Sequence, residues 1–185
     1  MIDLFVLAAD ADMQTVFRAI LDRPNALGIR PIRSEVDRHP NRDSGVFRNG
    51  PELIRAKPKS EYRYFIIAFD HHGSGCSRPS EECARIVQDR LDSFTFKDCS
   101  TVVAIAPELE EWLWHDPSAI ADDAGAAPNP DPKERLRQVF VNGWKRGPRI
   151  EDFKRIASRA NLEAWESSPS FRILKATLQN WFPRS

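Results

Sequence analysis

Apolar and polar positions along this chain switch between a period of two and a period near 3.6, predicting strands and helices in turn. Ile2 to Ala8 is a short apolar run fit for a buried strand. After Asp10-Ala11-Asp12 the pattern turns helical, with Met13, Val16, Phe17 and Ile20 on one face. Asp10 is placed to cap that helix, and Asp12 to complement its dipole. Pro24 and Gly28 mark the way out. From Ile29 to Val36, the apolar Ile29, Pro31, Ile32 and Val36 alternate with Arg30, Arg33 and Glu35, which predicts a second strand near a sheet edge. The segment DRHPNRDSGVFRNGP reads as a polar loop, and Pro51 to Lys57 as one short helix stopped by Pro58. Tyr62 to Phe69 carries the strongest strand signal, nearly all apolar and rich in aromatic and β-branched residues. Pro79 opens a helix whose Glu81 and Glu82 favour its N-terminal dipole and whose Cys83, Ile86, Val87 and Leu91 face inward. Thr101 to Ala106 predicts a fourth strand. Pro107 ends it and opens the helical PELEEWLWHD, in which Trp112 and Leu113 pack toward the sheet.

This alternation predicts an α/β fold, a mostly parallel four-stranded sheet flanked by helices and joined by right-handed crossovers. Residues 131–185 form a helical C-terminal part behind the 1–116 α/β core. Its apolar stripes are Leu136, Val139 and Phe140, then Phe153, Ile156 and Ala157, then Phe171, Leu174 and Leu178. The joining segment DDAGAAPNPDP is loop by composition and expected to be mobile. A chain of 185 residues suits one domain, 1–185, that buries roughly two thirds of its surface.

Composition narrows the function classes. With 27 basic and 27 acidic residues, no global charge draws the chain to nucleic acid or to a membrane. A nucleic-acid partner needs a local patch, and the densest one is Arg38, His39, Arg42 and Arg48, diluted by Asp37 and Asp43. No apolar run approaches the roughly 20 residues that span a bilayer. The opening MIDLFVLAAD reads as a strand rather than a leader, so a cytoplasmic protein is expected. Cys76, Cys83 and Cys99 are odd in number and lack CxxC spacing, which points to reduced thiols rather than a disulfide or zinc site. Trp144, Trp165 and Trp181 suit either a homodimer interface or the commoner fate of large aromatics, core packing.

The candidate chemistry lies where strands end. In a parallel sheet the carboxyl ends of successive strands converge on one edge. Just past three apolar runs stand Asp10 and Asp12, then Asp70, then Glu110. Such a set suits a hard, oxygen-seeking cation, magnesium or manganese, able to activate water or support phosphodiester chemistry. His71 and His72 can add imidazole ligands or a general base. The plainer alternative is that these carboxylates cap helices and tie turns. GSG in HHGSG is not the GxSxG of a nucleophile elbow, and neither GxxxxGK[ST] nor GxGxxG occurs.

Four pieces, VLAADAD (Val6 to Asp12), FDHHG (Phe69 to Gly73), PELEEWLWHD (Pro107 to Asp116) and SPSF (Ser168 to Phe171), together with the HPNRDSG loop, resemble Toprim-like domains. They are most similar to the small stand-alone Toprim-related proteins of bacterial defence islands, in particular those of the methylation-associated defence system. The resemblance implies a Toprim-like, Rossmann-like fold, a role in antiphage defence beside other proteins of the same system, and a magnesium site of nuclease type. It also marks departures. The glutamate that Toprim domains carry after their first strand falls on Ala8, and the second aspartate of their Asp-x-Asp falls on His72. Two expectations follow. One is a degenerate or remodelled site working within an assembly. The other is an active divalent-metal nuclease with Asp70 and Glu110 as core ligands, Asp10 or Asp12 assisting, and His72 as ligand or base.

Overall fold

The computed structural model describes residues 1–121 and 130–184. Strand β1 (Ile2–Ala8) is the reason the rest assembles: from Leu4 to Ala8 no residue is more than 3% exposed, so both of its faces must be covered. Helix α1 (Ala11–Leu21) follows, then the short α2 (Pro24–Leu27), and then β2 (Ser34–Arg38). Helix α3 (Arg42–Arg55), β3 (Tyr62–Asp70), α4 (Ser80–Ser93) and β4 (Ser100–Ile105) complete the α/β core. Among the described residues the four strands form one parallel sheet in the order β2-β1-β3-β4.

The strand pleat sorts the helices into two layers. Leu7 and Ile67 lie against Gly50 of α3, and the Phe69 ring meets Phe47 edge-on at 5.9 Å. From the opposite face Tyr64 stacks on Trp181 at 4.5 Å. That second layer holds α1 together with the C-terminal elements α5 (Glu110–Trp114), α6 (Pro117–Ile120), α7 (Pro132–Trp144), α8 (Ile150–Arg159) and α9 (Pro169–Trp181). The three apolar stripes expected there are inward, with Val139 only partly covered. Trp112 is the hinge-pin of this layer: its ring contacts Phe17, Trp165 and Phe171, and its indole N–H donates to the Ser170 hydroxyl at 2.8 Å. The PELEEWLWHD and SPSF segments are thus in direct contact.

Four expectations need correction. The second strand is Ser34–Arg38, not Ile29 to Val36. The Arg33 N–H is taken by the Asp3 carboxylate at 2.9 Å, and Ile29 instead bridges antiparallel to Pro183. The supposed loop is mostly helix. Pro51 lacks the N–H that would reach the Phe47 carbonyl, yet Arg90 Nη1 donates to that carbonyl at 3.2 Å, so α3 runs straight through the proline. Cys76 and Cys83 are joined by a disulfide, their Cα atoms brought to 6.2 Å by the turn before α4; only Cys99 keeps a thiol. Of the two fates expected for the tryptophans, Trp165 takes core packing, being fully buried, while Trp144 remains 44% exposed. Ile86 is only partly buried. Most of the loop expected over DDAGAAPNPDP, residues 122–129, lies outside the described residues. No helix among the described residues is long and apolar enough to cross a membrane.

Candidate functional site

From β1 the chain moves to one side of the sheet, to β2, and later to the other side through β3 and β4. The reversal falls between β1 and β3, where an open α/β sheet leaves a crevice beyond its carboxyl ends. Asp10 and Asp12 follow β1, Asp70 is the last residue of β3, and Glu108 and Glu110 follow β4. The sheet therefore brings the carboxylates expected from sequence to one edge.

Each has a different local task. Asp10 caps α1, its Oδ1 accepting the Met13 N–H at 3.0 Å. Asp12 is half-buried, and burial followed by the Asp10 charge raises its carboxyl above the ordinary range. Glu110 is 7% exposed at the start of α5. Burial, reinforced by the Glu108 and Asp12 charges and opposed by Lys133, lifts its carboxyl from the usual 4.5 to about 7. Asp70 is the most perturbed. Burial comes first, and then the charges of Asp43, Glu110, Asp10 and Glu108 push its carboxyl well above the ordinary carboxylate value. Its Oδ1 is shut off from solvent and has no hydrogen-bond partner. Buried polar atoms are rarely left so.

Three groups were missed by sequence reasoning. Asp43, in the first turn of α3, accepts the Asp70 N–H on Oδ1 at 2.7 Å. It fits because position 73 is glycine: a Cβ there would lie 2.6 Å from Asp43 Oδ2. Glu108 stands between His72 Nδ1 and Lys133 Nζ, each 3.7 Å from one of its oxygens. Lys133 is the third. Partial burial pulls its ammonium down, and the charges of Glu110, Glu108, Asp70 and Asp10 more than offset that and raise it. One signal for it was available: a lysine in the first turn of α7 opposes the helix dipole, so its charge must answer to something else.

The histidines sit at the rim. His72 is 60% exposed, with its Nδ1 3.7 Å from Glu108, its ring beside that of His71 and its backbone N–H donating to the Pro107 carbonyl. His71 Nε2 donates to the Arg78 carbonyl at 2.7 Å and its backbone N–H to the Ile105 carbonyl, so it fastens the turn instead of facing the carboxylates. Of the basic patch, Arg38 and Arg42 are exposed, whereas His39 is 5% exposed with burial lowering its ring pKa. His39 is therefore a neutral structural group, and Arg48 lies exposed further along α3.

An all-oxygen set with an orphaned buried Asp70 Oδ1 fits a hard cation in kind. In geometry the fit is incomplete, because among the described residues no three His, Cys, Asp or Glu side chains converge as a ready metal cage. The cations that do reach the cluster are the Lys133 ammonium and Arg42, whose charge acts on Asp12. Comparison of the chain with known protein families, with curated proteins and with solved structures finds no match.

Proposed function

We propose that this chain is a Toprim-like subunit of a bacterial antiphage defence system of the methylation-associated kind, cytoplasmic and working beside other proteins of that system. Its carboxylate edge is remodelled: Lys133 supplies from within the chain part of the positive charge that a magnesium or manganese ion would bring. The observation that carries this reading is the Lys133 ammonium, 3.7 Å from Glu108 at the sheet's switch point and raised by the charges of Glu110, Glu108, Asp70 and Asp10. Ala8 and His72, standing where Toprim domains carry acids, support it from the sequence side. The test has two arms. A tagged chain expressed with its neighbouring genes should co-purify with their products, and recovery of the chain alone counts against the assembly. In calorimetry, manganese should bind Lys133→Met more tightly than the wild type. Equal affinity would remove Lys133 from the role.

One observation favours a second reading, an active divalent-metal nuclease: Asp70 Oδ1 is buried and unsatisfied beside Glu110, whose carboxyl is poised near neutrality. Asp70 and Glu110 would hold the ion, with Asp10 or Asp12 assisting and His72 at the rim. The ion would neutralise phosphate charge and activate water. Magnesium- or manganese-dependent cleavage of DNA or RNA that Asp70→Asn abolishes would decide for it. Cleavage unchanged in Asp70→Asn would sink it.

A further inference from the structure

Beside the carboxylate edge the surface opens into a pocket of about 440 Å³, lined by Asp10, Ala11, Arg38, His39 and Arg42 among others. That is the size of a small-ligand site. Among the described residues, neither the Arg38 nor the Arg42 guanidinium donates a hydrogen bond or closes an ion pair. The turn that carries them is nevertheless firmly built. The His39 N–H donates to the Ala8 carbonyl, the Arg42 N–H to the His39 carbonyl, and the Asn41 N–H to His39 Nδ1 at 3.0 Å. Gly45 leaves room for the His39 ring, since a Cβ there would fall 2.4 Å from it. Arg42 itself is held at φ 50°, a left-handed conformation that a non-glycine residue keeps only when its surroundings impose it. On the pocket wall stand Ala9 to Ala11, which lead into the positive end of α1.

We propose that this pocket holds a backbone phosphate of a nucleic-acid strand, gripped by Arg38 and Arg42 and presented to the carboxylates across Asp10. Guanidinium forks match phosphate oxygens in geometry and charge. The lining has no Phe, Tyr or Trp on which a base would stack, so the pocket reads backbone rather than sequence. Asp10 faces the same pocket, which sets an anion-gripping wall against a cation-seeking one. The inference rests on the proposed function for what happens to the strand afterwards, but capture itself needs no metal.

The experiment separates the two. Anisotropy of short labelled DNA and RNA strands, titrated with the full chain in EDTA over a salt series, should show binding that weakens as salt rises. Arg38→Gln/Arg42→Gln should lose about tenfold or more in affinity and flatten the logarithmic salt slope by about 0.7, the expected loss of one neutralised phosphate on a single strand. Arg48→Gln, exposed on α3 and outside the pocket, should bind as the wild type does. Undiminished binding in the double variant, or an equal loss in Arg48→Gln, overturns the pocket. A mononucleotide that binds as tightly as the strand also overturns it, making the ligand a free nucleotide. Because EDTA is present throughout, failure of the metal readings leaves this result untouched.

Discussion

The two ends of the sheet treat charge in opposite ways. At the amino end the Asp3 carboxylate accepts from Arg30 at 2.7 Å and from the Arg33 N–H at 2.9 Å, and the Arg30 bond leads the causes that hold it below its ordinary pKa. Glu35 there is bound by Lys57 and by the Tyr62 hydroxyl. At the carboxyl end Asp70, Asp43, Asp12 and Glu110 are all raised, each chiefly by burial, and Asp70 Oδ1 has no partner at all. One end is arranged for stability. The other holds charge that the fold alone does not satisfy, which is how sites for an external cation or a substrate differ from structural ion pairs.

The largest expected effect comes from relieving that end. Glu110 has a folded pKa of about 7 against an ordinary 4.5, so its carboxyl is protonated and harmless in both states below about 4.5. Between about 4.5 and 7 the unfolded chain ionises while the folded chain keeps its proton, so stability falls across that window and levels off once the folded carboxyl is also an anion. The difference amounts to about 3 kcal/mol at roughly 1.4 kcal/mol per pH unit. Glu110→Gln should therefore raise the thermal midpoint at pH 8 by several degrees, at about 2 to 4 °C per kcal/mol, and leave it unchanged at pH 4. Thermal melts of both proteins across that range check it. A variant less stable than the wild type at pH 8 would mean that Lys133 satisfies Glu110 after all.

The next effect tests how the end is built. Gly73→Ala directs a methyl group at Asp43 Oδ2, forcing the carboxylate off the Asp70 N–H. A cost of about 2 kcal/mol is expected, from steric displacement and an unmet buried donor. In an Asp43→Ala background the same substitution should cost less but not nothing, because the carboxylate is gone while the Cβ of position 43, 2.9 Å from the new methyl, remains. Chemical denaturation of the four proteins in this cycle gives the coupling. Additive losses would show that Gly73 is needed for its backbone alone.

The comparison also explains what was legible in the sequence. Strands were readable because buried parallel strands leave long apolar runs such as Phe65–Phe69, and their ends pointed to Asp70 and Glu110. Asp10 was correctly given a cap by the local rule of its position. Other features depended on partners distant in the chain. Nothing near Pro51 announces that Arg90 will replace its missing donor, so the part of α3 before Pro51 read as a loop. Asp43 looked like surface charge because its partner, the Asp70 N–H, is 27 residues away. Lys133 comes from beyond the core segment altogether. The Cys76–Cys83 bond arose from turn geometry that spacing rules do not encode.

The smallest effect probes the satisfied end. Asp3 is the mirror of Glu110: its folded pKa lies below 3.8, so its contribution is present above that value and fades as the pH falls through the folded one. Asp3→Asn should cost about 1 kcal/mol at pH 7, modest because the Arg30 pair is partly exposed and screened by salt. In urea titrations the gap between wild type and variant should close as the pH approaches 2, opposite in sign to the Glu110→Gln profile. The two sites lie at opposite ends of the sheet, Asp3 at the start of β1 and Glu110 beyond the end of β4, and share no partner, so the double variant should show the sum of both profiles. If it does not, charge is shared along the sheet, and the contrast between a stabilising end and a functional end fails.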